Sequence, residues 1–96
     1  MARYVILLNW TEQGVKNAKE TVKRARAAAS VWEKAGGKLL QTFWTLGQYD
    51  LVLIAEAPSD EAITAINLQL TMLGNVRSST LRAFDEKEME QILKKV

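Results

Sequence analysis

One stretch, residues 42–56, constrains the fold more than any other part of the chain. It reads as two β-strands joined by a tight turn around Gly47, which can adopt positive φ at low cost. The second strand is apolar on both alternating faces, with Leu51, Leu53 and Ala55 on one and Val52 and Ile54 on the other. An antiparallel sheet usually leaves one face polar for water, so we expect both faces of this strand to be covered.

The rest of the chain supplies two more strands and the helices that cover them. Turn and capping residues predict the order strand 3–9, helix 11–36, strand 38–45, strand 49–56, helix 59–74, strand 76–84 and a short C-terminal helix. Ser59 is the expected N-cap of the second long helix, and Asp85 with Glu88 forms a capping box. Thr21 can start a new helix, so residues 11–36 form one kinked helix or two.

This order predicts an α+β, ferredoxin-like βαββαβ fold over one domain, residues 1–96. Strands 1 and 3 lie in the centre of the four-stranded antiparallel sheet, since both are apolar on both faces, and the polar fourth strand lies at an edge. The helices cover one face, and the short C-terminal helix shields only part of the other. Packing of that face against a second copy, as a symmetric dimer forming an α/β barrel, completes the burial.

Composition excludes several kinds of chemistry. The chain has no cysteine and no histidine, which removes disulfides, thiolate nucleophiles, the commonest general base and the commonest transition-metal ligand. The acidic pairs at 60–61 and 85–86 are helix starts, so we predict no metal and no cofactor. The absence of cysteine and of a signal-peptide pattern favours the cytoplasm, and no apolar run is long enough for a membrane helix.

The charge of the chain, +2 with a pI near 9.0, is consistent with simple solubility. Five basic residues cluster in the first helical region, where Glu12 and Glu20 dilute them. This pattern is more typical of a solvated helix face than of a nucleic-acid footprint. We therefore predict neither nucleic acid nor membrane as a partner.

A candidate ligand cleft lies where the sheet meets the helices. Its expected residues are Asn9, Trp10, Trp44, Tyr49 and Asp50. The structural interpretation is favoured for the last two, with Asp50 accepting hydrogen bonds from turn amides and Tyr49 packing beside it. One acid and one phenol without a cofactor specify no reaction, so we assign no catalytic residue.

The chain has more apolar residues than are required to cover one face of the sheet. The candidate interface residues are Val5, Leu7 and Leu53 on the sheet, Val31 and Trp32 on the first helical region, and Leu68 and Met72 on the second long helix. Trp32 either fills the end of the core or touches a partner subunit. A second interface through the helices, which would build an assembly larger than a dimer, is the corresponding hypothesis.

The run Gly47, Gln48, Tyr49, Asp50 resembles the signature of the GYD domain family. Similar segments flank it at 9–14, 36–38, 43–46, 51–60 and 73–84, so the resemblance covers nearly the whole chain. It implies a ferredoxin-like, dimeric α/β barrel fold and no particular activity. The chain departs from the family pattern at Val22, where the family usually has proline, and around residues 29–32. These departures affect the expected partner surface and are consistent with natural divergence or with an engineered self-assembling variant.

Three functional interpretations follow. The first is a small homo-oligomeric module that serves as an assembly unit or binds a small apolar ligand. The second is an enzyme resembling the cofactor-independent monooxygenases of this fold, acting in the cleft, which rests on analogy of fold alone. The third, an RNA platform on the sheet, is disfavoured because the sheet presents mainly aliphatic side chains.

Overall fold

Four strands and four α-helices follow one another in the computed structural model, which describes residues 1–96. The elements are β1 (Ala2–Trp10), α1 (Glu12–Lys16), a 3₁₀ turn (Ala18–Glu20), α2 (Thr21–Lys34), β2 (Lys38–Trp44), β3 (Leu51–Ala57), α3 (Asp60–Thr71), β4 (Val76–Ala83) and α4 (Glu86–Leu93). The predicted order of elements is confirmed. None of these helices combines the length and apolarity that crossing a membrane requires.

The strands form one antiparallel sheet in the order β2-β3-β1-β4. The prediction that the first and third strands are central and the polar fourth strand is an edge is confirmed, as is the ferredoxin-like α+β fold. Edge strand β2 pairs irregularly with β3 between Leu39 and Gln41. An extra residue of this kind bends an edge strand and makes it a poorer template for further strand pairing.

Residues 11–36 contain two α-helices rather than one kinked helix. Thr11 caps α1, and its hydroxyl accepts the Gly14 amide at 3.2 Å. A Cβ on Gly14 would lie 2.0 Å from the Asn75 carbonyl oxygen, so α1 packs directly on the backbone before β4. The 3₁₀ turn separates α1 from α2.

The predicted helix caps are present. The Ser59 hydroxyl accepts the Ala62 amide at 3.1 Å at the start of α3. Asp85 and Glu88 form the capping box of α4, with bonds of 2.8 and 3.2 Å. Side-chain acceptors at these positions satisfy amides that the helices leave unpaired, and they set where each helix begins.

The core lies between the helices and one face of the sheet, which we call the covered face. Its strand residues are Tyr4, Ile6, Leu8, Leu51, Leu53, Ala55 and Ala57, and its helix residues are Trp32, Ile63 and Ile66. Trp32 is completely buried, so the interpretation that it fills the end of the core is confirmed. Gly37 makes room for it, since a Cβ there would lie 3.3 Å from the indole ring and 2.6 Å from the Glu56 carbonyl oxygen.

The opposite face of the same sheet, which we call the open face, has no layer over it. Strand register places its apolar side chains together: Val5, Leu7, Phe43, Val52, Ile54 and Leu81. Phe43 is 49% exposed and Leu81 50% exposed, whereas the other four are half-buried by one another. Helix α4 leaves this face uncovered, and its own apolar residues Met89 and Leu93 are also exposed.

Candidate functional site

A cavity of about 200 Å³ lies between the covered face and helices α2 and α3. Most of its lining is aliphatic, and α2 contributes three alanines, Ala25, Ala27 and Ala28. Alanines on a helix can let it sit close to its neighbour. Here the short side chains instead leave space beneath the helix, which larger residues at these positions would fill.

Trp10 carries a buried polar group next to the cavity. It stands at the end of β1 and lines the cavity, and its indole Nε1–H is buried without a hydrogen-bond partner in the protein. Buried indole N–H groups normally find an acceptor, since leaving one unpaired loses the hydrogen bond that water would have made. This N–H has almost no accessible surface, so it is sealed from the cavity, whose lining includes the hydroxyl groups of Thr42 and Ser78.

Several polar side chains of the lining have partners within the protein. Asn67 on α3 donates to the Thr80 hydroxyl at 2.6 Å, and the Thr71 hydroxyl donates to the Asn67 carbonyl at 2.8 Å. Arg24 is the only charged residue of the lining. Its guanidinium donates to the carbonyl oxygens of Asn17 at 2.8 Å and Gly14 at 3.2 Å, so it holds α1 and the following turn against α2.

Of the five residues predicted to form a ligand cleft, the structure brings only Trp10 to the cavity. The prediction for Asn9 is wrong, because side chains alternate along β1 and Asn9 falls on the open face opposite Arg77. Trp44 lies outside the cavity and is 42% exposed, and its Nε1–H donates to the Thr21 hydroxyl at 2.9 Å. Tyr49 lies in the loop before β3, where its carbonyl accepts the Thr45 hydroxyl at 2.6 Å.

Asp50 joins the start of β3 to the end of β1. Its carboxylate Oδ2 accepts the Trp10 backbone amide at 2.9 Å, and its own amide donates to the Leu8 carbonyl at 2.8 Å. The acceptor role is as expected, but the amide belongs to β1 and not to the turn. Asp50 therefore fixes the strand end from which the Trp10 side chain projects.

The predicted interface residues fall into three groups. Val5 and Leu7 lie on the open face. The predictions for Leu53 and Trp32 are wrong, since Leu53 alternates onto the covered face and both are buried in the core. Val31 packs against the core and lines the cavity. Leu68 and Met72 are exposed on the outer surface of α3.

One titratable group on the covered face is clearly affected by its surroundings. The Tyr4 hydroxyl donates to Asp60 Oδ1 at 2.6 Å, and Arg82 lies over the Tyr4 ring at 5.8 Å. Burial raises the pKa of Tyr4 above its ordinary value of 10.0, and the hydrogen bond to the Asp60 carboxylate raises it further. This pair lies at the start of α3 and ties β1 to it. No group of three or more His, Cys, Asp or Glu side chains forms a metal site.

Sequence reasoning missed several cavity residues, among them Arg24, Thr42, Asn67 and Ser78. A signal for Asn67 was present, since it is a polar residue next to the core position Ile66 on an otherwise apolar stretch of α3. No comparable signal marks Thr42 or Ser78, because their positions depend on strand register. Arg24 belongs by sequence to the solvated basic cluster, whereas its guanidinium turns back to backbone carbonyls.

Comparison with known proteins supports the fold. The model of a family described as the GYD domain matches residues 4–93. The crystal structure of TTHA0845 from Thermus thermophilus is similar, with a TM-score of 0.57 and 21% sequence identity, over 88% of this chain and 95% of that one. At this identity the likeness concerns the fold alone. No curated protein sequence matches the chain.

Proposed function

The chain belongs to the GYD domain family, and from that premise and the geometry above we propose that it is a self-associating module. Two copies pair through their open faces. Each subunit also holds a small ligand in the cavity beneath its helices. The first of these statements is the main proposal, and the second is a separate candidate function with its own observation.

The open face carries the main proposal. Val5, Leu7, Val52 and Ile54 form its centre, with Phe43 and Leu81 half exposed at its sides. These side chains are contiguous because directly paired residues of neighbouring strands share a face. Apolar patches of this kind on small proteins generally mark contact surfaces, since covering them removes their area from water.

A second copy fits this surface better than RNA does. Phe43 is the only aromatic residue on the open face, whereas sheets that bind single-stranded RNA stack bases on several aromatic rings. The charged pair Arg3 and Glu56, 3.3 Å apart, sits at one end of the patch and neutralises itself within the subunit. An aliphatic centre with the pair Arg3 and Glu56 at one end and the polar residues Asn9 and Arg77 at the other is suited to packing on an identical face about a two-fold axis.

Leu7→Lys tests the association, with Leu68→Lys as the matched control. Leu7 lies at the centre of the open face, whereas Leu68 is exposed on α3. Circular dichroism monitors the fold and multi-angle light scattering the mass. We expect Leu7→Lys to reduce the mass to that of one chain with the helical signal retained, and Leu68→Lys to preserve the dimer. Equal masses for both variants would contradict pairing through the open face.

Ligand binding is favoured by the size of the cavity and by its mainly apolar walls. The lining has no carboxylate, and neither Asp50 nor Asn9 reaches it, so a general acid or base is not among the residues that would surround a substrate. Binding is therefore better supported than the monooxygenase-like alternative. The lining offers no carboxylate, histidine or other side chain suited to proton transfer.

Filling the cavity tests this second function. A cavity of about 150 Å³ lined by apolar side chains holds benzene in another protein, so benzene is a suitable probe of space alone. We expect benzene to raise the melting temperature of the protein, and Ala28→Leu, which fills the cavity, to abolish that rise. Ala65→Leu on the exposed side of α3 is the control and should preserve it. Identical responses of both variants would place the benzene elsewhere.

A further inference from the structure

We infer that the cavity continues into an open groove between α2 and β2, and that the two spaces together bind one short alkyl chain with an anionic head group. The chain lies in the cavity, and the head group lies in the groove beside Arg26. The inference rests on the ligand-binding part of the proposed function and adds the chemical class of the ligand. Its evidence is the shared lining of the two spaces, the volume of the cavity and an unpaired arginine in the groove.

The groove and the cavity border on the same side chains. The groove has a volume of about 260 Å³ and is open to solvent. Ala25, Leu39 and Thr42 line both spaces, so the groove meets the cavity at these residues, which we call the junction. Strand register places Leu39 and Thr42 on the covered face, so pairing of subunits through their open faces does not involve the junction.

The volume of the cavity limits the length of the chain. A cavity of about 150 Å³ holds the six carbons of benzene, so about 200 Å³ holds roughly eight carbons in proportion. Aliphatic side chains such as Ile6, Leu8 and Leu70 provide dispersion contacts without directional requirements. One short chain fits this space, whereas the two long chains of a membrane phospholipid exceed it. The ligand is therefore a single-chain amphiphile rather than a membrane lipid.

Arg26 sets the charge of the head group. It is the only charged residue in the lining of the groove, which has no carboxylate. Arg26 is exposed, and none of the three ion pairs of the chain includes it. The guanidinium of Arg24, in contrast, already donates to two backbone carbonyls. A guanidinium with free N–H groups binds carboxylates and phosphates through charge-assisted hydrogen bonds, so an anion is favoured here.

The junction adds a second polar contact. Thr42 borders both spaces, and its hydroxyl, which makes no hydrogen bond within the protein, can donate to an anionic oxygen. Lys23 lies three residues before Arg26 on nearly the same side of α2 and is also exposed without an ion pair. A head group in the open groove stays in contact with water, so its charge is not transferred into the apolar cavity.

The test uses octanoate and 1-octanol, which have chains of equal length and differ in charge. Calorimetric titrations of the full chain measure both affinities. We expect Arg26→Gln to weaken octanoate binding about threefold or more and to leave 1-octanol binding unchanged, since only the carboxylate uses the guanidinium. Lys94→Gln, which removes a positive charge from the C-terminal end of α4, is the control and should change neither affinity. Added salt should weaken octanoate binding to the parent more than to Arg26→Gln.

Two further measurements locate the ligand. Trp44 lines the groove and not the cavity. Octanoate should therefore change the indole N–H resonance of Trp44, whereas benzene, which needs only the cavity, should not. Ala28→Leu fills the cavity without lining the groove and should abolish octanoate binding, because the chain then has no space. The spectrum of the unaltered protein gives its result even if a variant fails to fold.

The possible results separate the inference from the function on which it rests. Binding of benzene without binding of octanoate would overturn the inference and leave ligand binding intact. Equal octanoate affinities of the parent and Arg26→Gln would overturn the role of Arg26 and the anionic head group. Undiminished octanoate binding by a folded Ala28→Leu variant would overturn the placement of the chain in the cavity. Failure of benzene, octanoate and 1-octanol to bind would overturn both the inference and the ligand-binding function.

Discussion

The two faces of the sheet are made from alternate residues of the same strands, yet helices cover one face and leave the other exposed. On β1, Ile6 is 1% exposed beneath the helices, while its neighbour Leu7 lies on the open face with no layer above it. Both are aliphatic and of similar size. They differ in burial because α2 and α3 lie over one face of the sheet, and no element of the subunit lies over the other.

In our account, the hydrophobicity of a strand reflects its burial in the assembled protein, whichever chain provides the cover. The covered face forms the core of the subunit and determines whether it folds. The open face has the same composition at its centre and, in our account, determines whether subunits pair. Substitutions on the two faces should therefore affect different equilibria.

The largest effect is expected for Ile6→Ala on the covered face. Removing this buried side chain should lower the free energy of unfolding by about 2–5 kcal/mol, because a cavity remains in a packed core. Leu7→Ala is the matched control on the open face and should weaken association instead. Urea unfolding at several protein concentrations checks both. If Leu7→Ala lowers the free energy of unfolding as much as Ile6→Ala does at every protein concentration, the proposed difference between the two faces is wrong.

A smaller effect is expected for Asp50→Ala. This substitution removes the hydrogen bond that links the start of β3 to the end of β1. The free energy of unfolding should fall by about 1–3 kcal/mol, since the Trp10 amide loses its carboxylate acceptor. Asp50→Asn retains an acceptor oxygen and should lose less. Denaturant unfolding curves of the two variants that coincide with the parent's would contradict the structural role of Asp50.

The covered face should also make the stability of the protein depend on pH at the alkaline end. Because the pKa of Tyr4 is raised by burial and by Asp60, the folded state favours the protonated phenol. Its contribution is fully present below pH 10.0, the unfolded value, and is lost as the pH rises through the higher folded pKa. Stability measured from about pH 8 to pH 11.5 should therefore fall at the alkaline end.

Tyr4→Phe provides the control for this pH dependence. The variant keeps the ring in the core and removes the ionisable hydroxyl and its bond to Asp60. We expect a lower stability near pH 8, where the hydrogen bond is lost, and a weaker decline at alkaline pH. An unchanged alkaline decline in this variant would mean that another group causes it.

The smallest effect on the fold is expected for the double variant Leu68→Glu, Met72→Glu on the outer surface of α3. Met72 is 81% exposed and Leu68 56%, so neither contributes to the core. Fold and dimer should be unchanged, while any species larger than a dimer should disappear. If size-exclusion chromatography shows the same profile for this variant and the parent, no second interface exists at these residues.

The fold could be predicted from the sequence because its main determinants are local. Alternation along β1 and β3, the side-chain caps at Ser59 and Asp85, and the polar character of β4 each specify an element or its place. These signals act over a few residues and agree with one another. The central position of the doubly apolar strands followed from the same patterns.

The candidate site was harder to predict because it depends on register and on packing across the chain. The predictions for Asn9 and Leu53 put them on the wrong faces, and in each case the face follows from the alternation that the paired strands impose. The cavity arises where α2 presents alanines above the sheet, a consequence of how the helix is positioned. The unpaired Trp10 N–H is recognisable only once its neighbours are known.

Sedimentation equilibrium of the unaltered chain tests the central claim most directly. One chain has a mass of 10.8 kDa, and in our account a second copy covers the open face. We predict a species of twice the chain mass at micromolar concentrations, with dissociation only on dilution. A single species of 10.8 kDa throughout the micromolar range would contradict the account, because the open face would then be stable in water without a partner.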